Sequence, residues 1–211
     1  MLKKRAFVLI LLMLFLLASC SREEKKIRDP FESIKSKLSK MESYTAEATV
    51  ELYHNKFDTS FTVFQFYSKG KFRLEVFEKE EQPDKIVVYD GKRSYVYFRK
   101  VDQIFVAENE KEIPLFSMIS SFAKNYFEAG GEIEKKVSDN SYLVTVPIPE
   151  RNVVMYKEEM IFSKKDLIPV ELRIFDINNE LFAKITYKDF QYNLKLQDDL
   201  FSEGKIKESM R

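Results

Sequence analysis

The stretch that decides the fold is TAEATVELY, residues 45–53. Small or apolar side chains occupy every second position, namely Ala46, Ala48, Val50 and Leu52. Because successive side chains of a strand point to opposite faces of a sheet, this period of two predicts a half-buried β-strand. One face of that strand must be buried, and the other can meet water.

Further runs with strand character lie on both sides of a break in the middle of the chain. We predict strands at residues 45–53, 60–68, 71–77, 85–89, 93–100, 103–107, 132–137, 142–147, 153–163, 170–175 and 181–192. Turn signals separate several of them, and Asp90-Gly91 is typical of a hairpin. The first half is therefore interpreted as a meander of antiparallel strands.

Two amphipathic helices accompany the strands. The first begins at Asp29-Pro30, a capping residue followed by proline, and we expect it to end near Ser43. The second covers residues 114–129 and ends at Gly130-Gly131. Apolar residues recur at helical spacing: Phe31, Ile34, Leu38 and Met41, then Leu115, Met118, Ile119, Phe122 and Tyr126. Residues 198–201 indicate a short helical turn near the end.

The predicted fold class is mainly β (α+β), with an antiparallel sheet of about ten or eleven strands. A sheet of that size must curl or close because strand twist accumulates. Each helix has one apolar stripe, and the concave side of the sheet can bury both. We therefore expect a strongly curved, incomplete barrel whose helices cover the concave face.

The N-terminus has the pattern of a lipoprotein leader. Lys3, Lys4 and Arg5 precede an unbroken apolar run over residues 6–17, and small residues lead to Cys20, the only cysteine. Twelve helical residues span roughly 18 Å, short of the ~30 Å hydrocarbon core, which favours a signal segment over a membrane anchor. We expect cleavage before Cys20 and lipidation of its thiol. An ordinary signal peptide followed by a chance cysteine is the alternative.

This leader sets the expected organisation of the chain. We predict a signal peptide at 1–19, a lipidated cysteine with a charged tether at 20–28, one domain at 29–203 and a polar tail at 204–211. The mature protein would then lie outside the cytoplasm, attached to a membrane by its acyl chains.

Charge is nearly balanced, with 35 Lys and Arg against 34 Asp and Glu. Loss of the three basic leader residues leaves a formal charge of about −2, without the basic surplus of a nucleic-acid-binding protein. No cysteine besides Cys20 is present to form a disulfide. The domain must therefore be held together by packing, to which nineteen Phe and eleven Tyr can contribute.

The order of several short motifs resembles the LolA/LolB family of lipoprotein carriers and receptors. The matching pieces are the first helix and the strand from Tyr44, then Gly70-Lys71-Phe72-Arg73, Val88-Tyr89-Asp90-Gly91-Lys92, the aromatic strand with Tyr95, Tyr97 and Phe98, Phe175-Asp176-Ile177-Asn178-Asn179, Ile185-Thr186-Tyr187 and Leu200-Phe201. The resemblance implies an apolar cavity between sheet and helices that binds acyl chains or lipidated cargo.

Within that family, the lipobox and the Lys/Glu/Ile-rich chain resemble the GerS-like germination lipoproteins of clostridia. That narrower resemblance implies a non-catalytic partner of an amidase that modifies the spore cortex. An anchored receptor for lipoprotein sorting, similar to LolB, is the alternative. A soluble shuttle is disfavoured because this chain has its own predicted anchor.

A search for catalytic groups finds little. His54 is the only histidine, so no histidine-based metal cluster or triad can form, and a solvent-facing turn residue is the simpler interpretation. The acidic runs at 78–81 and 108–112 are interpreted as solvated loops, with weak cation binding as the alternative. Glu158 and Glu159 lie mid-strand and point to opposite faces, so they cannot act as an acid/base pair. We predict no enzyme activity, metal or cofactor.

Binding is the predicted role, because several strands are apolar on both faces. One apolar face can pack in the core, and the other needs a covering segment, a partner or a ligand. The alternative is that the aromatic residues of the second face are simply exposed at the surface, because aromatic residues favour strands. Candidate residues for an apolar cavity or partner surface are Val50, Leu52, Phe64, Phe66, Phe72, Leu74, Val76, Met118 and Phe122. Those on the inner face form either a solid core or the lining of an acyl-chain cavity.

Overall fold

The computed structural model describes residues 29–53, 59–79, 81–107, 115–149 and 152–209. Its helices are α1 Pro30–Ser39, α2 Ile119–Glu128 and α3 Glu203–Ser209, with 3₁₀ turns at Arg99–Val101 and Asp198–Phe201. Its strands are β1 Ser43–Leu52, β2 Thr59–Ser68, β3 Lys71–Phe77, β4 Lys85–Tyr89, β5 Ser94–Phe98, β6 Gln103–Ala107, β7 Glu134–Val137, β8 Ser141–Pro147, β9 Lys157–Ser163, β10 Pro169–Phe175 and β11 Leu181–Tyr192.

All eleven strands form one antiparallel sheet in the order β6-β5-β4-β3-β2-β1-β11-β10-β9-β8-β7. Two meanders run outward from a central pair, in which Val50 of β1 lies opposite Ile185 of β11. The sheet is curved and is not closed into a barrel, so β6 and β7 are its two edges. The predicted fold class is confirmed.

Helix α1 begins as its sequence predicts. The Asp29 carboxylate accepts a hydrogen bond from the Phe31 amide at 2.9 Å, and Pro30 occupies the first turn. The helix ends at Ser39, four residues before the predicted Ser43. Ser43 already belongs to β1, where its hydroxyl donates to the Leu194 carbonyl at 2.7 Å.

The main core lies between the concave, inner face of the sheet and helices α1 and α2. From β1 it takes Tyr44, Ala46, Ala48 and Val50, the alternating set that the strand pattern predicts. Helix α2 contributes Phe122, whose ring lies 6.2 Å from that of Phe162. A fully buried valine or phenylalanine of this core contributes about 1.5–3 kcal/mol of transfer free energy.

A second apolar cluster occupies the outer face of β4–β6. Ile86 and Val88 of β4 and Tyr97 of β5 pack there against Phe201 and Ile206. Residues 204–211, predicted as a polar tail, thus contribute most of helix α3, whose Ile206 is fully buried. One apolar residue among the seven of this charged helix is a weak sequence signal, and the need to cover the outer face decides the structure.

Two further boundaries differ from the sequence predictions, one because of contacts with the sheet and one because of a local turn. Helix α2 starts at Ile119 and not at residue 114, because the Ser117 carbonyl is held by side chains of the sheet. Strand β9 starts at Lys157 and not at 153, because the Asn152 carboxamide oxygen accepts the amides of Val154 and Met155 and forms a turn. The leader, Cys20, the tether, His54 and residues 108–112 lie outside the described residues.

Candidate binding site: the inner cavities and the open end of the sheet

Residues 115–118, the crossing segment, pass over the inner face just before α2. The Ser117 carbonyl accepts hydrogen bonds from the Gln65 carboxamide at 2.9 Å and from the Tyr187 hydroxyl at 2.8 Å. The Tyr44 hydroxyl donates to Gln65 at 3.3 Å and accepts the Ser120 amide at 3.4 Å. Burial raises the pKa of the Tyr44 and Tyr187 hydroxyls, so both remain protonated donors. These bonds fix the crossing segment at the middle of β1, β2 and β11.

An apolar cavity of about 330 Å³ lies on one side of the crossing segment. Its apolar wall is formed by Leu52, Phe61, Val63, Leu74, Val76, Val87, Phe98 and Phe116. Sites for small ligands have volumes of about 300–1,000 Å³ and mostly apolar walls, so this cavity is large enough for one.

Four charged side chains line the same cavity: Glu78, Asp84, Lys85 and Lys100. Asp84 accepts a hydrogen bond from Arg99 Nη2 at 2.8 Å and another from the Glu78 amide at 2.8 Å. The Glu78 amide and the Arg99 guanidinium hold the pKa of Asp84 below its usual value, so it is ionised and paired. The Lys85 Nζ lies 5.9 Å from the centre of the Phe98 ring.

A polar cavity of about 540 Å³ lies on the other side of the crossing segment. Tyr67, Phe72 and Tyr89 form its aromatic wall, and Lys69 and Lys124 bring positive charge to it. These two cavities on the inner face of the described sheet differ in polarity, and the crossing segment lies between them.

The structure distributes the predicted site residues over four places. Leu52, Leu74 and Val76 line the apolar cavity, whereas Phe72 and Met118 line the polar one. Val50 and Phe122 are fully buried in the main core.

Phe64 and Phe66 lie on the outer face, as the strand alternation requires. The Phe64 ring lies 5.3 Å from that of Phe77, and Phe66 packs against the second cluster. The sequence pattern did not indicate the pair of lysines that lines the apolar cavity, Lys85 and Lys100, because it depends on pairing between β3, β4 and β5. Lys85 interrupts the inner alternation with Val87 and Tyr89, a signal that could have indicated it.

The two edges of the sheet differ in charge. Strand β7, EKKV, carries three charged residues, whereas β6, QIFVA, carries none. Phe105 and Val106 of β6 are 50% and 55% exposed. The Phe105 ring lies 5.8 Å from Phe98, so this apolar edge is continuous with the cavity wall. Charged edge strands resist pairing with other chains, and an apolar edge strand does not.

Glu158 is a buried acid on the inner face of β9, only 2% exposed. Its carboxylate accepts a hydrogen bond from the Asn125 carboxamide at 2.7 Å, and burial raises its pKa to about 7. Glu159 points to the outer face, where it accepts from Arg173 at 3.4 Å. Within the described ranges, no three His, Cys, Asp or Glu side chains converge as a metal site would need.

The described helices are too short to cross a bilayer.

A family model described as sporulation protein YdcC-like matches residues 3–201. The sporulation protein YdcC of Bacillus subtilis is 19% identical over 211 residues, covering 96% of this chain and 61% of that protein. The chain thus spans about three fifths of the length of that relative.

Two solved structures are similar in fold. One is a chain in the structure of the CwlD amidase from Clostridioides difficile in complex with the GerS lipoprotein. It has a TM-score of 0.50 and 22% identity, and the match covers 77% of this chain and 94% of that one. The other is a LolA superfamily protein from Nitrosomonas europaea, with TM-score 0.44, 11% identity and coverage of 82% and 98%. The fold is GerS-like, as the resemblance implies.

Proposed function

We propose that this chain, which belongs to the YdcC-like family of sporulation proteins, is a non-catalytic extracytoplasmic lipoprotein that binds a peptidoglycan amidase of the spore cortex. The observation that carries the proposal is the uncharged, apolar edge strand β6 with its exposed Phe105 and Val106. The similarity in fold to GerS, which was solved in complex with an amidase, supports the choice of partner.

The edge offers two kinds of contact to a protein. Its outward backbone amides and carbonyls have no strand beside them in the described sheet, so they can pair with an extended segment of a partner. Phe105 and Val106 point to opposite faces, and each can contact an apolar side chain of the added strand. The other edge, β7, has the charges that oppose this mode of binding.

The test captures the full-length protein from sporulating cells and identifies the proteins that copurify. Phe105→Glu places a charge on the apolar edge, and Val137→Glu is the matched control, because Val137 is 58% exposed on β7. We expect an amidase with the wild type and the control, and at least about tenfold less with Phe105→Glu, as for loss of an interface anchor.

Two results would contradict this proposal. Absence of any amidase from the wild-type capture, together with unchanged cortex composition in a deletion strain, would overturn the function. Equal recovery with Phe105→Glu would overturn the assignment of the surface.

The proposed anchor is lipidated Cys20. Two or three acyl chains hold a protein on a membrane stably, since each buried CH₂ contributes about 0.8 kcal/mol. We expect labelled palmitate to enter the wild type, and Cys20→Ser to block labelling and release the protein from membranes. Firm membrane attachment of Cys20→Ser would contradict the anchor without affecting the proposed partner.

A second candidate function is binding of a lipid or lipoprotein acyl chain, as in LolB-like sorting. The apolar cavity of about 330 Å³ favours it. We expect the full-length protein purified from membranes to retain an acyl lipid, and Val76→Trp, which fills the cavity, to lose it. Val137→Trp on the exposed β7 edge is the control. Equal lipid content in all three proteins would exclude the cavity as the binding site.

A further inference from the structure

We propose that the polar cavity binds a short segment of glycan, whose sugar rings stack on the aromatic wall formed by Tyr67, Phe72 and Tyr89. The choice of glycan rests on the first function proposed above, because peptidoglycan, on which the proposed partner acts, is built on a chain of N-acetylated pyranoses. The protein would then bind both the amidase and its polymer, at two different places on the sheet.

The aromatic wall is a continuous row across neighbouring strands. Tyr67 of β2 lies opposite Phe72 of β3, and Phe72 lies opposite Tyr89 of β4. The Phe72 and Tyr89 rings are stacked with their centres 5.5 Å apart, and Tyr67 is stacked on Tyr44 of β1 at 5.3 Å. Tyr44 and Phe72 are buried, so the half-buried rings of Tyr67 and Tyr89 are the accessible part of the row.

The spacing of the two accessible rings suits a disaccharide. Neighbouring strands of a sheet lie about 4.8 Å apart, so Tyr67 and Tyr89, two strands apart, are separated by roughly 10 Å. That separation is close to the length of two linked pyranose rings. The cavity volume of about 540 Å³ also lies within the range of small-molecule sites.

Polar groups surround the aromatic wall. Neither the Tyr67 nor the Tyr89 hydroxyl is hydrogen-bonded to another described residue, so both are available to a ligand. Further hydroxyl and ammonium groups line the same cavity, from Lys69, Ser120, Ser121 and Lys124. A pyranose has C–H groups on its faces and hydroxyls around its edge, so it needs an aromatic surface bordered by hydrogen-bonding groups. The polar cavity combines the two.

The charges of the cavity favour a neutral ligand. Among the described residues that line it, none is Asp or Glu, which disfavours a cation. Lys69 lies 3.9 Å from Glu42 in an exposed pair, so the cavity does not require an anion. An acyl chain fits the apolar cavity on the other side of the crossing segment better, because hydroxyls and ammonium groups would face its methylenes here.

The experiment is saturation-transfer NMR on the full-length protein, in a detergent that carries no sugar. The probe is the β-1,4-linked tetramer of N-acetylglucosamine, and tetra-alanine is the comparison for a peptide ligand. We expect transfer from the protein to the ring C–H protons of the sugar, and at least about fivefold less to the peptide.

Two variants locate the binding site. Tyr67→Ala/Tyr89→Ala removes the accessible rings and should reduce transfer to the sugar to the level seen with the peptide. Tyr53→Ala/Tyr192→Ala, two tyrosines outside this cavity, is the matched control. Ser121→Trp fills the cavity from helix α2 without changing the sheet, so it tests the site even if the double alanine variant fails to fold. It should also abolish the transfer.

The outcomes separate this inference from the proposed function. No transfer to the sugar, equal transfer to the peptide, or undiminished transfer with Ser121→Trp would overturn the glycan site. Capture of the amidase by Ser121→Trp at the wild-type level is expected, because strand β6 is unchanged. Glycan binding by a wild type that captures no amidase would overturn the partner and leave the glycan site in place.

Discussion

The outer face of the sheet has two halves that differ in polarity. Over β4–β6 it is apolar, and Phe201 and Ile206 cover it. Over β1 and β9–β11 it is a ladder of charged pairs, such as Glu51 with Lys184, that needs no cover. The difference explains why the chain continues beyond β11: the C-terminal turn and helix α3 bury the apolar half.

The same contrast recurs in two arginines with nearly identical local geometry. Arg73 and Arg173 each place Nε 2.6 Å from a glutamate two residues away on the same strand, Glu75 and Glu171. The Arg73 side chain is 1% exposed and also donates to Ser209 of α3 at 3.0 Å, whereas the Arg173 side chain is 38% exposed. Burial is one difference between the two pairs, and Arg173 also has a second carboxylate, Glu159, at 3.4 Å.

The largest effect is expected from breaking these pairs. Glu75→Ala leaves the Arg73 guanidinium buried without its anion and should lower the free energy of unfolding by about 4 kcal/mol. Glu171→Ala should lower it by less than about 1 kcal/mol, because water solvates Arg173 and Glu159 remains its ion-pair partner. Urea denaturation of both variants measures the difference. Equal losses would show that the cover over the apolar half does not exclude water.

The next effect concerns Glu158 and Glu159, neighbours on opposite faces of β9. The pKa of Glu158 is about 7 in the folded state and near 4.5 in the unfolded chain. The folded state binds the proton more tightly, so the free energy of unfolding falls as pH rises from about 4.5 to 7, by an amount on the order of 3 kcal/mol. Above that range the contribution is constant.

Glu158→Gln should remove this slope and stabilise the protein at neutral and alkaline pH. Denaturation at a series of pH values, with the variant subtracted from the wild type, isolates the contribution. Glu159→Gln is the control and should leave the slope in place. A wild-type profile parallel to that of Glu158→Gln would contradict the raised pKa.

The smallest expected effect measures how much helix α3 stabilises the protein by covering the apolar half of the outer face. Ile206→Val removes one buried methylene from the second cluster and should cost about 1 kcal/mol. Ile177→Val removes the same group at a site that is 54% exposed and should be neutral within about 0.5 kcal/mol. Thermal unfolding compares the two. A neutral Ile206→Val would mean that α3 contributes little to stability.

Strand periodicity predicted most of the fold, because alternation along strands such as β1 and β3 is a local property. The prediction failed where contacts between residues far apart in the sequence determine the local structure. Residues 115–118 have helical spacing, yet Gln65 and Tyr187 hold the Ser117 carbonyl and delay the helix. The charged helix α3 likewise depends on an apolar surface more than a hundred residues earlier, so its own composition does not reveal it.

The candidate site was predictable in part for the same reason. Leu52, Leu74 and Val76 follow from alternation, since each lies on the inner face of its strand. Whether an inner residue lines a cavity or fills the core depends on where a helix lies over it. Val50 is therefore core, one alternation step from Leu52.

The central pairing of β1 with β11 joins parts of the chain that lie far apart in the sequence. Ser43 and Leu194, which share a hydrogen bond there, are 151 positions apart in the chain. Each meander can form from local hairpins, but the centre of the sheet closes only when the last strand has arrived. Closure over such a separation is slow, on the order of milliseconds to seconds. A chain exported from its N-terminus would thus emerge as a half sheet with β1 unpaired on one side, and it would need protection until its final residues follow.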